Sequence, residues 1–373
     1  MDKQTDGFTP QRMVSITKSD TLSPEERLRY ARHLTLPGVG EQGQLKLKDA
    51  KVLVIGAGGL GSPILNYLAA GGVGHITVID DDVVEESNLQ RQTIHRMSDI
   101  GRPKVDSAVD AVERLNPFVQ ATGIKDRLTP DNAIELFTAH DLVIDGTDNF
   151  ATRYLSNDAA ELTRTPLVWG TIMQFEGQVS VFDPNQGPML RDLFPDIPPA
   201  DAVPSCAVGG VFGALAGQIG SMLAIEAIKL ITGVGVPAFG KLVLVDALTT
   251  SQRTLTFTKD PDREPVTSLS HMAEVCADAI PVPTTVEPQG AIIDVRTPEE
   301  TAEGIIPGAI EIPLARIEEE GWAALAPYVQ DTTTIYCRSG VRSEQAIKLV
   351  REHTDAELLN LQGGYVAWSA RHA

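Results

Sequence analysis

The stretch Val52-Leu53-Val54-Ile55-Gly56-Ala57-Gly58-Gly59-Leu60-Gly61 decides the fold of the longer part of this chain. Four consecutive apolar residues are typical of a parallel strand that is buried on both faces, and they predict a strand over Lys51–Ile55. The glycines then match the pattern G-x-G-x-x-G, in which a tight turn leads into a helix whose first N–H groups can approach phosphates. Apolar residues at helical spacing follow, and Gly71-Gly72 ends the predicted helix.

Strands and helices continue to alternate beyond this unit. The further predicted strands are His75–Asp80, Asp141–Asp145, Gln178–Phe182 and Lys241–Asp246. A long helix is predicted over 217–232, and the capping box Ser23-Pro24-Glu25-Glu26 predicts a helix from Pro24 to about His33. This alternation predicts an α/β fold with a Rossmann-like, doubly wound sheet.

A second, smaller α/β domain is predicted near the C-terminus. Ala291–Val295 and Thr333–Cys337 have the pattern of buried strands, and Ser343–His353 that of a helix. Proline and charge are concentrated just before it, which is typical of a linker. The predicted organisation is a flexible tail at 1–20, a first domain at 21–258, a linker at 259–283 and a second domain at 284–373.

Composition limits the partners that the chain can have. The net charge is -19 over 373 residues, so the chain lacks the basic face that nucleic-acid binding requires. Three cysteines in so long a chain indicate a reducing compartment, and we expect a cytoplasmic protein. We see neither a signal peptide nor a segment of the roughly 20 apolar residues that spans a bilayer, so we expect no membrane partner.

The glycine loop alone does not determine which nucleotide binds. NAD fits it equally well, with Asp80 binding ribose hydroxyls, and the glycines could also serve only close helix–strand packing. Two cations, Arg91 and Lys104, favour a triphosphate, because the charge on a transferring phosphoryl group must be neutralised. Asp148 follows a predicted strand and suits Mg²⁺, which prefers carboxylate and phosphate oxygens.

These segments together resemble the E1-like adenylating enzymes of the MoeB/ThiF type, over residues 24 to about 258. The resemblance rests on Arg29–Arg32, the glycine loop, Ser87–Gln92, Gly101–Lys104 and Thr147–Asn149. It implies that ATP is bound, with Mg²⁺ at Asp148, by Gly56, Gly58, Gly59, Gly61, Asp80, Ser87, Asn88, Leu89, Gln90, Arg91, Lys104, Asp148 and Asn149.

The same resemblance implies the reaction. The C-terminal carboxylate of a ubiquitin-like sulfur-carrier protein ending in Gly-Gly attacks the α-phosphate of ATP, with Arg32, Arg91 and Lys104 as catalytic cations. Arg32 would reach into the site of a neighbouring subunit, which implies a homodimer. On composition alone, an arginine such as Arg32 is more often a solvated helix residue.

Two features of the first domain need separate expectations. Members of the family commonly bind structural zinc through two Cys-x-x-Cys pairs, which would fall near 189–192 and 259–264, where this chain has no cysteine. We therefore predict no zinc site. Cys206 stands where related enzymes have a cysteine that accepts the activated carrier, but a small buried residue at a helix start would look the same.

The segment Cys337-Arg338-Ser339-Gly340-Val341-Arg342 follows a predicted strand and precedes a predicted helix. Backbone N–H groups, the helix N-terminus and two arginines should all favour the thiolate of Cys337. With Asp294–Glu300, Ile306–Ala309 and Gly363–Trp368, this loop resembles a rhodanese domain over 284–373, although Ile305 replaces the usual histidine. The resemblance implies that Cys337 carries a persulfide, whereas Asp294 and Arg296 are expected to form a structural ion pair.

Both domains together resemble proteins of the MoeZ or molybdopterin-synthase-sulfurylase type. We expect adenylation of the carrier followed by thiocarboxylate formation, with a cysteine desulfurase or thiosulfate as sulfur donor. Molybdenum cofactor, thiamine, cysteine and tRNA thiolation remain open as pathways. Two alternatives also remain, an NAD-dependent oxidoreductase with an appended sulfurtransferase and a non-catalytic adaptor that binds the carrier.

Overall fold

The computed structural model describes residues 21–198, 210–272, 275–276 and 282–372. The chain divides into two compact units, Met1–Cys276 and Ala277–Ala373. The division falls inside the segment 259–283 that the sequence predicts as a linker. The first part of that segment packs on the first unit, because Leu269 and Met272 are buried in one of its core clusters.

The first unit is built on one mixed sheet. In the part of the chain that the structure describes, eight strands follow the order β3-β2-β1-β4-β5-β6-β7-β8. β1 to β5 are parallel, and the remaining pairings are antiparallel. The strands are β1 Lys51–Ile55, β2 His75–Ile79, β3 Gln120–Ile124, β4 Leu142–Asp145, β5 Leu167–Met173, β6 Glu176–Phe182, β7 Lys241–Asp246 and β8 Ser251–Thr256. The predicted doubly wound α/β fold is confirmed.

Helices accompany these strands. They are α1 Pro24–Arg29, α2 Ala31–Leu34, α3 Gly40–Asp49, α4 Gly61–Gly71, α5 Lys104–Leu115, α6 Pro130–Ala139, α7 Phe150–Thr163, α8 Leu190–Leu193 and α9 Gly213–Thr232. The one helix predicted from Pro24 to about His33 is two helices, because Tyr30 at their junction turns inward. Its hydroxyl accepts a hydrogen bond from Asn116 Nδ2 at 2.8 Å, and the side chain is buried.

Among the described residues, α9 is the one helix long and apolar enough to cross a membrane, judged by length and composition. The expectation that no segment reaches this length was therefore wrong. Leu215, Ile219 and Leu223 of α9 are fully buried in the core that α9 shares with α4 and the sheet. Such burial is what the central helix of an α/β core requires, and a core helix can be as long and as apolar as a membrane span.

The second unit has a five-stranded parallel sheet in the order β11-β10-β12-β13-β9 within the described residues. Its strands are β9 Thr284–Thr285, β10 Ala291–Asp294, β11 Ile310–Glu311, β12 Thr332–Tyr336 and β13 Glu357–Leu361. Its helices are α10 Pro298–Thr301, α11 Leu314–Glu320, α12 Trp322–Leu325, α13 Val341–Val350 and α14 Gly364–His372. The helix predicted over Ser343–His353 starts two residues earlier and ends in a 3-10 turn, Arg351–His353.

Candidate functional site

The glycine loop lies between β1 and α4, where β1 has β2 on one side and β4 on the other. Ligands bind at such a switch point, outside the carboxyl ends of the strands. Gly56 has a φ of +91°, and a Cβ on Gly61 would lie 2.0 Å from the Gly56 carbonyl oxygen. A Cβ on Gly58 or Gly59 would meet no atom closer than 3.5 Å. The positive φ therefore explains Gly56 and close packing explains Gly61. Neither reason applies to Gly58 and Gly59, which are partly exposed and, lacking a Cβ, leave room for a ligand against the backbone.

Asp80 follows β2 and holds two backbone N–H groups. Its Oδ2 accepts from Ala57 N at 2.8 Å, and its Oδ1 accepts from Asp82 N at 2.9 Å. Burial raises the pKa of Asp80, and the positive charge of Lys104 opposes that rise. The carboxylate thus fixes the glycine loop, and each oxygen keeps a second lone pair for a ligand hydroxyl.

Lys104 is the first residue of α5, and its side chain is buried. Its Nζ donates to Asp82 Oδ2 at 2.8 Å. The carboxylates of Asp80, Asp81 and Asp82 offer oxygens that all lie within 4.8 Å of one another. The lysine is therefore held at the rim of the loop by an acidic group that is mostly exposed.

The segment Ser87–Gln92 places a cation and an amide beside the glycine loop. Arg91 donates to the Ser87 carbonyl at 3.3 Å, and its Cγ lies 3.5 Å from the position that a Gly59 Cβ would take. Gln92 is buried, and its Oε1 has no hydrogen-bond partner among the described residues. Its Nε2 lies 3.7 Å from where a Gly58 Cβ would be. A buried acceptor next to an open stretch of backbone suits a ligand that brings a donor.

The other members of this segment have structural contacts. Asn88 is buried, and its Oδ1 accepts from Glu85 N at 3.2 Å. Leu89 is half-buried, and a Cβ on Gly213 would lie 2.4 Å from the Gln90 carbonyl oxygen, so Gln90 packs against the start of α9. Ser87 is exposed, and its carbonyl accepts the hydrogen bond from Arg91.

The loop after β4 is the neighbour of the glycine loop. Asp145 is fully buried, and burial raises its pKa although Thr147 donates to its Oδ1 from both N and Oγ1. The Gly146 carbonyl lies 3.5 Å from where a Gly56 Cβ would be. Asp148 is exposed at this edge, whereas the Asn149 side chain caps α7 by accepting from Thr152 N at 2.8 Å.

Arg32 is the predicted site residue that the structure does not bring to this loop. It is exposed on α2, and its neighbour His33 packs by Gly71 at the C-terminal end of α4. The glycine loop lies at the opposite end of α4, about 15 Å away along a helix of this length. Cys206, a further predicted site residue, lies outside the described residues.

The positions of the family's zinc ligands hold ion pairs. Asp192 Oδ1 accepts hydrogen bonds from Arg263 Nε at 2.8 Å and from Asp260 N at 3.1 Å. Arg263 Nη1 also donates to Glu161 Oε2 at 3.0 Å. Three cysteines, Cys206, Cys276 and Cys337, cannot supply four thiolates to these two segments. The residues present therefore do not fit a zinc site. We call Asp192, Arg263 and Glu161 the ion-pair clasp.

In the second unit, Cys337 directly follows β12 and is buried at 1% exposure. Gly340 N donates to its Sγ at 3.1 Å, and Ser343 Oγ lies 3.5 Å from Sγ. Burial is the largest single influence and raises the pKa of Cys337, but the bonds from Ser343 and from backbone N–H groups together lower it. The net result favours the thiolate, which is the nucleophilic form.

Two polar side chains set the shape of this sulfur loop. Ser343 Oγ lies 2.6 Å from Asn360 Oδ1, and Asn360 Nδ2 donates to the Gly340 carbonyl at 2.9 Å. Gly340 has a φ of +104°, which glycine adopts without strain. Asn360 is a residue that sequence reasoning missed, because its contact joins β13 to a loop 20 residues earlier.

The two predicted cations of the loop differ in their surroundings. Arg342 donates two hydrogen bonds of 2.7 Å to Glu300, so much of its charge is compensated. Arg342 lowers the pKa of Glu300 to about 2. Arg338 is exposed. The backbone N–H groups and Ser343 therefore contribute more to the thiolate than the arginines do.

Asp294 and Arg296 form the expected structural ion pair. Both are buried, and Arg296 Nη2 lies 2.7 Å from Asp294 Oδ2. The guanidinium also lies over the Tyr365 ring, 4.1 Å from its centroid. Cys276, in contrast, is half-buried against the first unit, and burial raises the pKa of its thiol, so it lacks the environment of a reactive cysteine.

Comparison with known proteins identifies the family of each unit. Residues 30–266 match the family model described as "ThiF family". The chain belongs to the ThiF family. Residues 284–371 match a rhodanese-like domain, so this ThiF protein carries a second catalytic unit.

One relative of this ThiF protein matches it over nearly its whole length, and another matches a shorter part. It is 46% identical over 377 residues to "Probable adenylyltransferase/sulfurtransferase MoeZ" of Mycobacterium tuberculosis, covering 95% of each chain. It is 50% identical over 242 residues to the sulfur carrier protein adenylyltransferase of Thermus thermophilus, covering 64% of this chain and 89% of that one. The protein is thus an adenylyltransferase and a sulfurtransferase, and the alternatives of an NAD-dependent oxidoreductase and a non-catalytic adaptor are set aside.

A solved structure shares the fold of the first unit. E. coli MccB, in its crystal structure with ATP, superposes with a TM-score of 0.55 at 19% identity, covering 64% of this chain and 74% of MccB. At this identity the comparison concerns the fold alone.

Proposed function

We propose that the first unit adenylates the C-terminal Gly-Gly carboxylate of a ubiquitin-like sulfur-carrier protein, using ATP. The second unit then supplies sulfur from a persulfide on Cys337 to give a thiocarboxylate. The observation that carries the first step is the open backbone at Gly58 and Gly59, with Arg91 above it and Lys104 at its rim. The orphaned Gln92 Oε1 beside it fits a nucleotide hydroxyl or amino group.

In the first step, a carboxylate oxygen of the carrier attacks the α-phosphorus of ATP. A carboxylate–phosphorus bond forms, the bond to the β-phosphate bridge breaks, and pyrophosphate leaves. The carboxylate is ionised at neutral pH, so no general base is needed. Arg91 and Lys104 neutralise phosphate charge, and Asp80 holds ribose hydroxyls and the glycine loop together.

Mg²⁺ would add further charge neutralisation at the phosphates, and the exposed carboxylate of Asp148 at the same sheet edge is the residue to hold it. Arg32 is proposed to act on the site of a second copy. Its place at the far end of α4 from its own glycine loop supports this, and it makes the active form a homodimer.

In the second step, the terminal sulfur of the Cys337 persulfide attacks the acyl carbon, and AMP leaves with the electron pair of the broken bond. A second thiol then attacks the Cys337 sulfur of the acyl disulfide. The thiocarboxylate is released, and that thiol and Cys337 become a disulfide. Cys206 or an external thiol fills this role. Further external thiol then reduces this disulfide, is itself oxidised to a disulfide, and frees the Cys337 thiolate, which takes a new sulfur atom from a cysteine desulfurase or from thiosulfate.

The free thiols that this chemistry uses call for a reducing compartment, so we place the protein in the cytoplasm. Molybdenum cofactor synthesis is the proposed pathway. Its carrier would be the polypeptide whose tail enters the first site.

The test uses the purified full chain, ATP and a small carrier ending in Gly-Gly. We expect ATP–pyrophosphate exchange that depends on the carrier, and no exchange with the same carrier lacking its last glycine. Adding thiosulfate and a thiol should raise the intact mass of the carrier by the difference between sulfur and oxygen. Exchange that is equal with and without carrier would contradict the first step, and an unchanged carrier mass would contradict the second.

A further inference from the structure

A buried histidine next to the glycine loop has no role in the steps above. His95 follows the Ser87–Gln92 segment and is 6% exposed. Its Nε2 lies 2.9 Å from the Ala57 carbonyl oxygen, and its Nδ1 lies 2.9 Å from Ser107 Oγ on α5. One side chain therefore links the loop after β1 to the helix that begins with Lys104.

The Ala57 peptide is the link that matters. Its N–H donates to Asp80 Oδ2 at 2.8 Å, and its carbonyl faces His95. Ala57 stands between two glycines, which have no Cβ to restrict their dihedral angles. These two hydrogen bonds hold the peptide groups on either side of Ala57, while Gly56 N donates to the Ile79 carbonyl and the Gly58 carbonyl accepts from Ser62.

The partners of His95 determine its tautomer. A carbonyl oxygen can only accept, so the proton must be on Nε2. Burial, the largest influence, lowers the pKa of His95, which keeps the ring neutral and makes Nδ1 an acceptor. Ser107 Oγ also lies 2.9 Å from Asp99 Oδ2, and its single proton can go to either group.

Asp99 accepts further hydrogen bonds from Arg96 N at 2.9 Å and from Arg102 Nη1 at 2.8 Å. Ser107 Oγ lies between Nδ1 and Asp99, and its contact with Nδ1 holds the ring so that Nε2 points at the loop.

We propose that His95 is a positioning residue for the nucleotide site. It holds the Ala57 carbonyl and thereby presents the open Gly58-Gly59 backbone in the orientation that binds ATP phosphates. The proposal rests on the proposed function, since it concerns the same site. His95 touches no reacting atom and acts through Ala57.

Two isosteric variants separate the two contacts of the ring. The amide nitrogen of Gln in His95→Gln takes the place of Nε2 and keeps a donor for Ala57. The amide of Asn in His95→Asn takes the place of Nδ1 and reaches only Ser107. We expect H95Q to keep the KM for ATP within about threefold of wild type, and H95N to raise it about tenfold or more with a smaller change in kcat.

Pyrophosphate exchange and equilibrium ATP binding are measured for wild type and both variants, with thermal unfolding as a check on folding. Equal KM values for H95Q and H95N, with wild type active, would overturn the role of His95 alone. Failure of wild type to bind ATP would overturn the proposed function as well.

A measurement on the unmodified chain does not depend on the folding of any variant. In ¹⁵N-labelled wild type, the His95 ring should show the Nε2–H tautomer, and its resonances should shift when ATP is added. A ring that is protonated on Nδ1 alone, or resonances that ATP leaves in place, would overturn the inference.

Discussion

Lys104 Nζ lies 2.8 Å from Asp82 Oδ2, so the buried cation proposed to bind phosphate is already paired with a carboxylate. A nucleotide must compete with Asp82 for this charge. The Asp82 side chain is 59% exposed, so its hold on Lys104 is screened by water.

Replacing Asp82 by Asn should therefore strengthen ATP binding. We expect Asp82→Asn to lower the KM for ATP by about two- to fivefold, because a competing negative charge is removed from the phosphate site. Asp81→Asn is the matched control, since it changes the net charge equally but removes a partner of Arg127 instead. Pyrophosphate exchange at low salt measures both. A KM that rises in Asp82→Asn would show that Asp82 assists binding.

Asp148 and Asn149 are adjacent, but replacing the first should affect activity and replacing the second should affect stability. Asp148 is exposed, so Asp148→Ala should abolish pyrophosphate exchange and leave the melting temperature unchanged. Asn149→Ala removes the N-cap of α7 and should cost about 1 kcal/mol of unfolding free energy. Exchange assays and thermal unfolding of both variants test this contrast. Normal exchange in Asp148→Ala would remove that residue from the site.

The Ser343 hydroxyl should lower the pKa of Cys337 and so raise its reactivity at neutral pH. Its removal in Ser343→Ala raises the pKa of Cys337, because one of the bonds that lower the pKa is lost. We expect the thiosulfate sulfurtransferase rate to fall at neutral pH and to approach wild type as the pH rises through the new pKa. Cys337→Ala should lose this activity at every pH while keeping pyrophosphate exchange. A pH profile identical to wild type in Ser343→Ala would contradict the assignment.

Glu300 should stabilise the second unit at neutral pH and lose this effect in acid. Its folded pKa of about 2 lies below the ordinary value of 4.5, chiefly through Arg342, so its contribution is complete above pH 4.5 and is lost as the pH falls toward 2. Glu300→Gln should lower the stability of this unit at pH 7 and flatten its decline between pH 4.5 and 2.

The measurement uses urea unfolding in a Trp169→Phe background. The two remaining tryptophans, Trp322 and Trp368, both lie in the second unit, so their fluorescence reports that unit alone. Parallel acid profiles with and without Glu300 would contradict the prediction.

The ion-pair clasp should be a strong contributor to the first unit. Arg263→Met leaves the Asp192 carboxylate, whose side chain is fully buried, without its cation. We expect a loss of about 3 kcal/mol or more in unfolding free energy. Arg127→Met, which breaks the more exposed pair with Asp81, should cost less than about 1 kcal/mol. Equal effects in denaturant unfolding would show that the clasp is no stronger than a surface pair.

Local sequence patterns predict the strands and helix caps whose signal lies within a few consecutive residues. The bounds of β1 and β7 agree with the prediction, and the capping box at Ser23 and Glu26 is present. The strand β8 was not found, because all six of its residues are exposed and it has no apolar pattern to detect.

Functional contacts between distant segments could not be predicted in the same way. His95 meets Ala57 across 38 residues, and Arg342 meets Glu300 across 42 residues. A histidine or an ion pair gives no periodic signal, and its partner depends on the register of the completed sheet. The sequence therefore indicated which chemistry the loops carry but not which side chains hold them in place.

The ion-pair clasp joins α8 to the chain near Arg263 with ordinary side chains in place of a metal and its thiolates. Nothing in it can be stripped by a chelator or oxidised by peroxide. At these two positions, the link between α8 and Arg263 therefore needs no zinc ion.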